Sequence, residues 1–309
     1  MKLFYYIRPD QIPNFGDSLN PWLWAKLILQ ELDNEEKITF VGIGTLLNDL
    51  LAIKVPLAEQ FVIFSSGVGY GQGEIPQINH HWQIYCLRGP LSAQKLRFSP
   101  NIAITDGAIL IRRIFRPTKT KKYQFTFIPH VENAIINTHF WFHVCNLAGI
   151  KYLDPRLPVE TILSIIEQTE IVLAEAMHGA IAAEALRIPW IPLYTNLRIL
   201  PFKWIDWCRS VNLEYNPAQI TSAISDHSFL NYQKSPQDWL NMLDQLDKSP
   251  LENIKLRKAQ INPVTEQMIT ITQTFEPNLA KESLIESLTI QLEEKLAQFK
   301  QDVKLGKFS

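Results

Sequence analysis

The chain has 309 residues, 46% of them hydrophobic, and 30 basic against 31 acidic side chains give a formal net charge of −1. That length supports a sizeable core and a split into two domains. The charge balance gives nucleic acid or an anionic membrane no electrostatic hold, so any anion site must be local. Cys86, Cys145 and Cys208 form neither a zinc pair nor a disulfide framework and read as buried thiols in a reducing cytosol. Eight Trp and sixteen Phe read first as core packing.

Short apolar runs alternating with helical patterns predict βαβ units and parallel sheets. Lys2 to Ile7 is a first strand, too short for a signal peptide and lacking a small-residue cleavage site. A polar loop follows, and Pro21 suits the first position of a helix capped by Asn20 and running to about Leu32. Strands are expected at Ile38 to Val41, Phe61 to Ser65, Ile84 to Leu87 and Ile102 to Thr105, with a helix from Leu91 to about Phe98. These make a first lobe, residues 1–116. Arg116 to Lys122 reads as a linker. A second lobe, 117–215, holds strands at Tyr123 to Ile128, Ile171 to Ala174 and Trp190 to Leu193, and helices at Pro158 to Gln168 and Met177 to Leu186.

From Asn216 strand signals fade, so 216–309 reads as a helical extension. Leu284, Leu288, Leu292 and Leu296 give one of its helices an apolar face, to pack on the lobes or on a second subunit. No run approaches the roughly 20 apolar residues of a membrane helix. A lipid-linked substrate would therefore be met peripherally, at the inner face of the membrane.

Several strand ends carry chemistry. Ala174-Glu175-Ala176-Met177-His178-Gly179-Ala180-Ile181 puts His178 in a first helical turn, where free backbone N–H groups favour an anion and an imidazole can exchange protons near neutrality. The alternative is a packed histidine in an ordinary turn. Asn14-Phe15-Gly16-Asp17-Ser18 lies beyond the first strand, where open parallel sheets bind ligands. With Asn20 as cap, Asp17 is left to face a cleft; local Asx bonding is the alternative.

Arg88-Gly89-Pro90-Leu91-Ser92 sets an arginine before a helix start, able to grip a carboxylate or phosphate or to form a surface ion pair. Asp106 reads as a turn former or N-cap, His130 as a core or cleft residue, and Lys203 as a further cation or a snorkelling lysine. Gly67-Val68-Gly69-Tyr70-Gly71-Gln72 has Gln, and Gly42-Ile43-Gly44 has Leu47, where a dinucleotide fingerprint needs its last glycine. Neither is a P-loop, no cluster has metal-ligand spacing, and no nucleophile elbow occurs. NAD, ATP and a metal are not indicated.

In their order, Asn14-Phe15-Gly16-Asp17, Ser66-Gly67-Val68-Gly69, Arg88-Gly89-Pro90-Leu91-Ser92, Thr105-Asp106-Gly107 and Glu175-Ala176-Met177-His178-Gly179-Ala180-Ile181 resemble the polysaccharide pyruvyl transferase family over about residues 1–215. The branch most similar is that of the exopolysaccharide, succinoglycan-type ketal pyruvyl transferases. The resemblance implies two Rossmann-like lobes in a GT-B-like arrangement. It implies phosphoenolpyruvate as a donor substrate, no cofactor, and a saccharide acceptor, free or lipid-linked, that becomes ketal-linked to pyruvate. Many members carry Arg where this chain has Ala176, which either shifts donor binding onto Arg88, Lys203 or another cation or changes the donor.

On this reading His178 is the acid/base and Asp17 orients or deprotonates the acceptor. Asn14, Gly16, Ser66, Gly67, Arg88, Ser92, Asp106, His130, Glu175, Met177, Gly179 and Lys203 bind substrate. The rival readings are a GT-B-like glycosyltransferase using a nucleotide sugar and a catalytically silent sugar-binding subunit.

Overall fold

The computed structural model describes residues 1–33, 35–70, 75–116, 120–195, 199–220 and 258–308. Two parallel sheets organise them. The first has the order β1-β2-β3-β4, built from Lys2–Phe4 (β1), Ile38–Val41 (β2), Gln60–Ser66 (β3) and Trp82–Leu87 (β4). The second has the order β6-β5-β7-β8-β9, built from Tyr123–Ile128 (β5), Lys151–Tyr152 (β6), Thr169–Ala174 (β7), Trp190–Tyr194 (β8) and Ala218–Gln219 (β9). Runs such as Phe61-Val62-Ile63-Phe64 are buried, as strands covered on both faces must be. β6 and β7 flank β5 on opposite sides, so the chain reverses direction there and opens a crevice at the carboxyl ends of β5 and β7.

The helices among the described residues are Phe15–Leu27 (α1), Leu51–Lys54 (α2), Pro90–Lys95 (α3), Ile111–Ile114 (α4), Val131–Ala148 (α5), Val159–Glu167 (α6), Met177–Ala185 (α7), Pro201–Ser210 (α8), Lys258–Thr274 (α9) and Glu282–Lys304 (α10). The two α/β lobes and the helical C-terminal segments agree with the sequence reading. Trp24, Trp141, Trp190, Trp204 and Trp207 are fully buried, so the tryptophan content does build core. All three cysteines are free and buried.

The first helix begins six residues before Pro21, and Asn14, not Asn20, occupies its N-cap. Phe15, Leu19 and Leu23 recur at four-residue spacing on one buried face, and burying that face outweighs a proline inside the helix. Pro21 has no N–H for the Asp17 carbonyl, which instead lies 3.5 Å from Asn20 Nδ2. Asn20 is committed to the core: Nδ2 donates to the Ile43 carbonyl at 3.0 Å, and Oδ1 accepts from Trp24 Nε1 at 3.1 Å. Asp17 consequently sits in the first turn of α1.

The strand expected at Ile102 to Thr105 is not formed. Pro100–Ile102 is a 3-10 turn, and only Ala103 bridges β4, at Leu87. Asp106 then caps a second 3-10 turn, Gly107–Leu110, its Oδ1 accepting from Ala108 N at 3.0 Å. The sequence reading also passed over α5, α8 and the short strands β6 and β9. The last of these lies beyond the boundary drawn at 215. Residues 117–119 of the linker, Gly71 and Gln72 of the second glycine cluster, and 221–257 of the polar extension fall outside the described residues.

The C-terminal helices fasten onto both lobes. Ile261, Val264, Met268 and Ile271 of α9 bury against Phe140, Trp141 and Val144 of α5. α10 returns to the first lobe, where Phe299 packs on Phe40 and Tyr85, and Arg113 pairs with Glu286 and Glu293. Leu288, Leu292 and Leu296 are buried in the same core, so the leucine face is occupied within the chain.

Candidate functional site

The first turns of α1 and α7 abut across the two lobes. A Cβ added to Gly16 would collide with His178 Nδ1, so only glycine lets the two turns approach this closely. Each turn also has backbone N–H groups without an intrahelical acceptor, the usual seat for an anion. His178 therefore stands where the sequence reading put it, with its side chain 14% exposed. Its Nε2 lies 3.6 Å from Asp106 Oδ2, and both atoms are buried without a hydrogen-bond partner.

Asp17 is next to Gly16 and receives a hydrogen bond from Asn14 Nδ2 at 2.7 Å. Burial pushes its carboxyl above the ordinary carboxylate range, against the opposing pull of Asn14 and the charges of His178, Lys203 and Arg8. His130 caps α5, its Nδ1 accepting from Glu132 N at 3.4 Å. Burial first, then the charges of Lys203 and Arg8, push this imidazole down to about 3, so it is neutral at physiological pH.

Glu175 is sealed at the end of β7. It accepts from His130 N at 2.8 Å, from Asn133 Nδ2 at 3.0 Å and from Thr195 Oγ1. Burial raises its carboxyl against those bonds and the charge of Lys203. Lys203, in the first turn of α8, is buried rather than snorkelling; its Nζ donates to Tyr70 Oη at 2.8 Å. Asn14, Gly16, Asp17, Asp106, His130, His178 and Lys203 thus form one constellation drawn from both lobes.

Arg88 does not join it. The guanidinium has no exposed surface; Nε donates to Asp206 Oδ2 at 3.2 Å and one terminal nitrogen to Thr45 Oγ1 at 2.7 Å. Asp206, on α8, also accepts from Leu91 N and Ser92 N at 2.9 Å each and from Ser92 Oγ at 2.6 Å. It caps α3 from another element, since the helix's own N-cap, Gly89, has no side chain to do so. The neighbouring expected ligands are drawn into the same latch. Gly67 lies flat on Arg88, the Ser92 hydroxyl accepts from Val68 N at 2.9 Å, and Ser66 Oγ donates to the Gly44 carbonyl at 3.2 Å.

Ser66, Gly67, Arg88 and Ser92 are accordingly corrected from donor contacts to a buried strut. The side chains of Ser66, Arg88 and Ser92 are bonded inside the protein, and Gly67 packs on the guanidinium. Met177 and Gly179 are likewise packing positions: Met177 is in the core, and a Cβ at Gly179 would strike Ile128.

Three neighbours of the site went unread. Arg8 follows β1 and is held by both oxygens of Asp10, at 3.0 and 2.7 Å, and by Glu132. Tyr70 meets Lys203, and Asp206 governs Arg88. Arg8 could have been found by the strand-end rule that singled out Asp17. Asp206 carries no local signal, lying 118 residues from its partner. Among the described residues, no group of three or more His, Cys, Asp or Glu side chains is placed to hold a metal, and no helix is long and apolar enough to cross a membrane.

No family model matches the chain. Among solved structures it is similar to the E. coli ADP-heptose lps heptosyltransferase II, over 81% of this chain and 100% of that one, at 12% identity and a TM-score of 0.29. That likeness is too slight to support an argument. The succinoglycan biosynthesis protein ExoV of Rhizobium meliloti (strain 1021) is 36% identical over 223 residues, covering 71% of this chain and 68% of the relative. At that identity and coverage, the chain belongs to the family of the succinoglycan biosynthesis protein ExoV.

Proposed function

We propose that this chain is a transferase of exopolysaccharide biosynthesis that moves the enolpyruvate-derived group of phosphoenolpyruvate onto two hydroxyls of a sugar, forming a ketal. The observation that carries the reading is the meeting of an imidazole, a carboxylate and a lysine at three helix N-termini between the lobes. The relative's role in succinoglycan biosynthesis supplies the polymer context.

The chemistry needs a proton on the methylene carbon of the donor, which leaves an oxocarbenium-like centre. One sugar hydroxyl adds to that centre, phosphate departs, and a second hydroxyl closes the ring. Of the two hydroxyl protons released, one balances the methyl group formed and the other leaves with phosphate. His178 delivers and recovers protons. Asp17, held by Asn14, orients the attacking hydroxyl. Lys203 and the first-turn N–H groups of α1 and α7 face the carboxylate and phosphate. Arg88 takes no part, and Arg8 acts only through the field it shares with Asp10 and Glu132.

The test is incubation with phosphoenolpyruvate and a saccharide panel, reading phosphate release and product mass. The expected product is heavier by pyruvic acid less water. His178→Ala should lower turnover by about 100- to 10,000-fold with unchanged stability. Near-normal turnover in that variant refutes the assignment.

The pairing of both Arg88 and Arg8 with carboxylates favours one second reading, a nucleotide-sugar glycosyltransferase. Its diphosphate donor is less highly charged than phosphoenolpyruvate. Thermal stabilisation by one donor and not the other separates the two.

A further inference from the structure

We infer that Asp106 is the positioning residue for His178, holding the imidazole with its proton on Nε2 and leaving Nδ1 as the nitrogen that meets substrate. This rests on the acid/base role proposed above and replaces the direct substrate contact expected of Asp106 from sequence.

The Asp106 carboxylate is anchored: it is fully buried, and Oδ1 accepts from Ala108 N at 3.0 Å. Oδ2 is thereby aimed at His178 Nε2, 3.6 Å away. Neither atom has another hydrogen-bond partner, and neither reaches solvent. Two orphaned polar atoms facing one another inside a protein call for an explanation. Their separation exceeds a hydrogen bond by a few tenths of an ångström, the looseness typical of catalytic pairs before substrate binds. An ionised carboxylate only accepts, so the bond it closes requires the proton on Nε2.

Since Nε2 is sealed, the side chain's residual 14% exposure lies elsewhere, and Nδ1, which is not among the buried unpartnered atoms, is the nitrogen left to meet a ligand. Gly16 keeps a side chain from crowding it, and Asp17 follows one residue on. The carboxylate comes from the first lobe and the imidazole from the second. The acid/base is therefore set in its working tautomer only while the turn Gly107–Leu110 packs against α7.

The full-length protein labelled with 15N-histidine tests this. Long-range 1H–15N correlation distinguishes the tautomers, and with seven histidines the His178 signals are identified by their loss in His178→Gln. The wild type should carry its proton on Nε2. Asp106→Asn keeps the Ala108 cap through Oδ1 but turns a donor toward the ring, so the proton should move to Nδ1. Under the transfer reading, kcat falls at least about a hundredfold with the donor KM retained.

If the tautomer switches while phosphoenolpyruvate is not turned over, the positioning role stands and the donor assignment fails. A wild-type proton on Nδ1, or the same tautomer in both proteins, overturns the inference. The wild-type spectrum decides alone if the variant does not fold.

Discussion

Truncation of Asp206 to Ala tests whether the buried strut holds the protein together or whether Arg88 exists to bind ligand. In the native chain this carboxylate receives Arg88 Nε, two backbone N–H groups and the Ser92 hydroxyl, with Arg88, Ser92 and Asp206 themselves fully buried. Its removal leaves Arg88 with only the Thr45 hydroxyl and, at 3.4 Å, the Gly44 carbonyl. An uncompensated buried charge of this kind costs about 3–5 kcal/mol. Loss of the α3 cap adds about 1 kcal/mol, but one carboxylate supplies both effects, so the contributions overlap. The expected destabilisation is about 4 kcal/mol, read as a shift in urea midpoint at constant m. Arg88→Met paired with Asp206→Leu removes both charges and should recover most of the loss. Two results would refute this reasoning: a loss under about 1 kcal/mol for Asp206→Ala, or an Arg88→Met protein of native stability that has lost affinity for the donor.

Two titrating groups give further outcomes. His130 is held down to about 3 in the folded protein against 6.5 unfolded, so its contribution to stability is present above pH 6.5 and lost as pH falls toward 3. The one-proton slope is at most about 1.4 kcal/mol per pH unit, and the ring's partial contact with solvent reduces the loss by pH 5 to about 1 kcal/mol. His130→Asn, which can keep the α5 cap, should flatten that slope in urea titrations at pH 7.5 and 5; parallel profiles count against the account. Asp17 moves the other way. Its folded carboxyl is raised, so stability is present below the unfolded value and is lost as pH rises through the folded one. Asp17→Asn should therefore be more stable than wild type at pH 7, lose that advantage on acidification, and transfer more slowly; a variant no more stable at pH 7 contradicts the buried-carboxylate argument.

What could be read from the sequence follows the range of the forces involved. The strands at Ile38–Val41 and Tyr123–Ile128 fall on their expected residues, because a parallel strand's apolar run is a local signal. His178 was placed by the same logic, from a strand end and the helix that follows. The start of α1 was misjudged because Pro21 is a strong local cue and the burial of Phe15, Leu19 and Leu23 is a tertiary one. Arg88 was misjudged for a related reason. An arginine before a helix looks alike whether it awaits a phosphate or faces Asp206, and that carboxylate lies in another lobe. The whole of α5 was passed over because its polar residues, Asn133 and Asn137, are satisfied by Glu175, Trp141 and each other, not by water.

The strut and the site meet on one helix. Asp206 and Lys203 are three residues apart on α8, so their side chains lie one turn from each other on the same face. Asp206 fixes that face against α3 and Arg88, and the same constraint fixes where Lys203 presents its charge to Asp17, His130 and Glu175. On the proposed reading the cation expected at position 88 would come from 203, and Arg88 would bear on it only indirectly: its buried charge is paired with Asp206, and Asp206 holds α8 against α3. Positive potential then reaches the cleft from a lysine at a helix N-terminus, a position that the helix field disfavours for a cation unless an anion is shared there. A negatively charged ligand between the lobes would relieve that opposition.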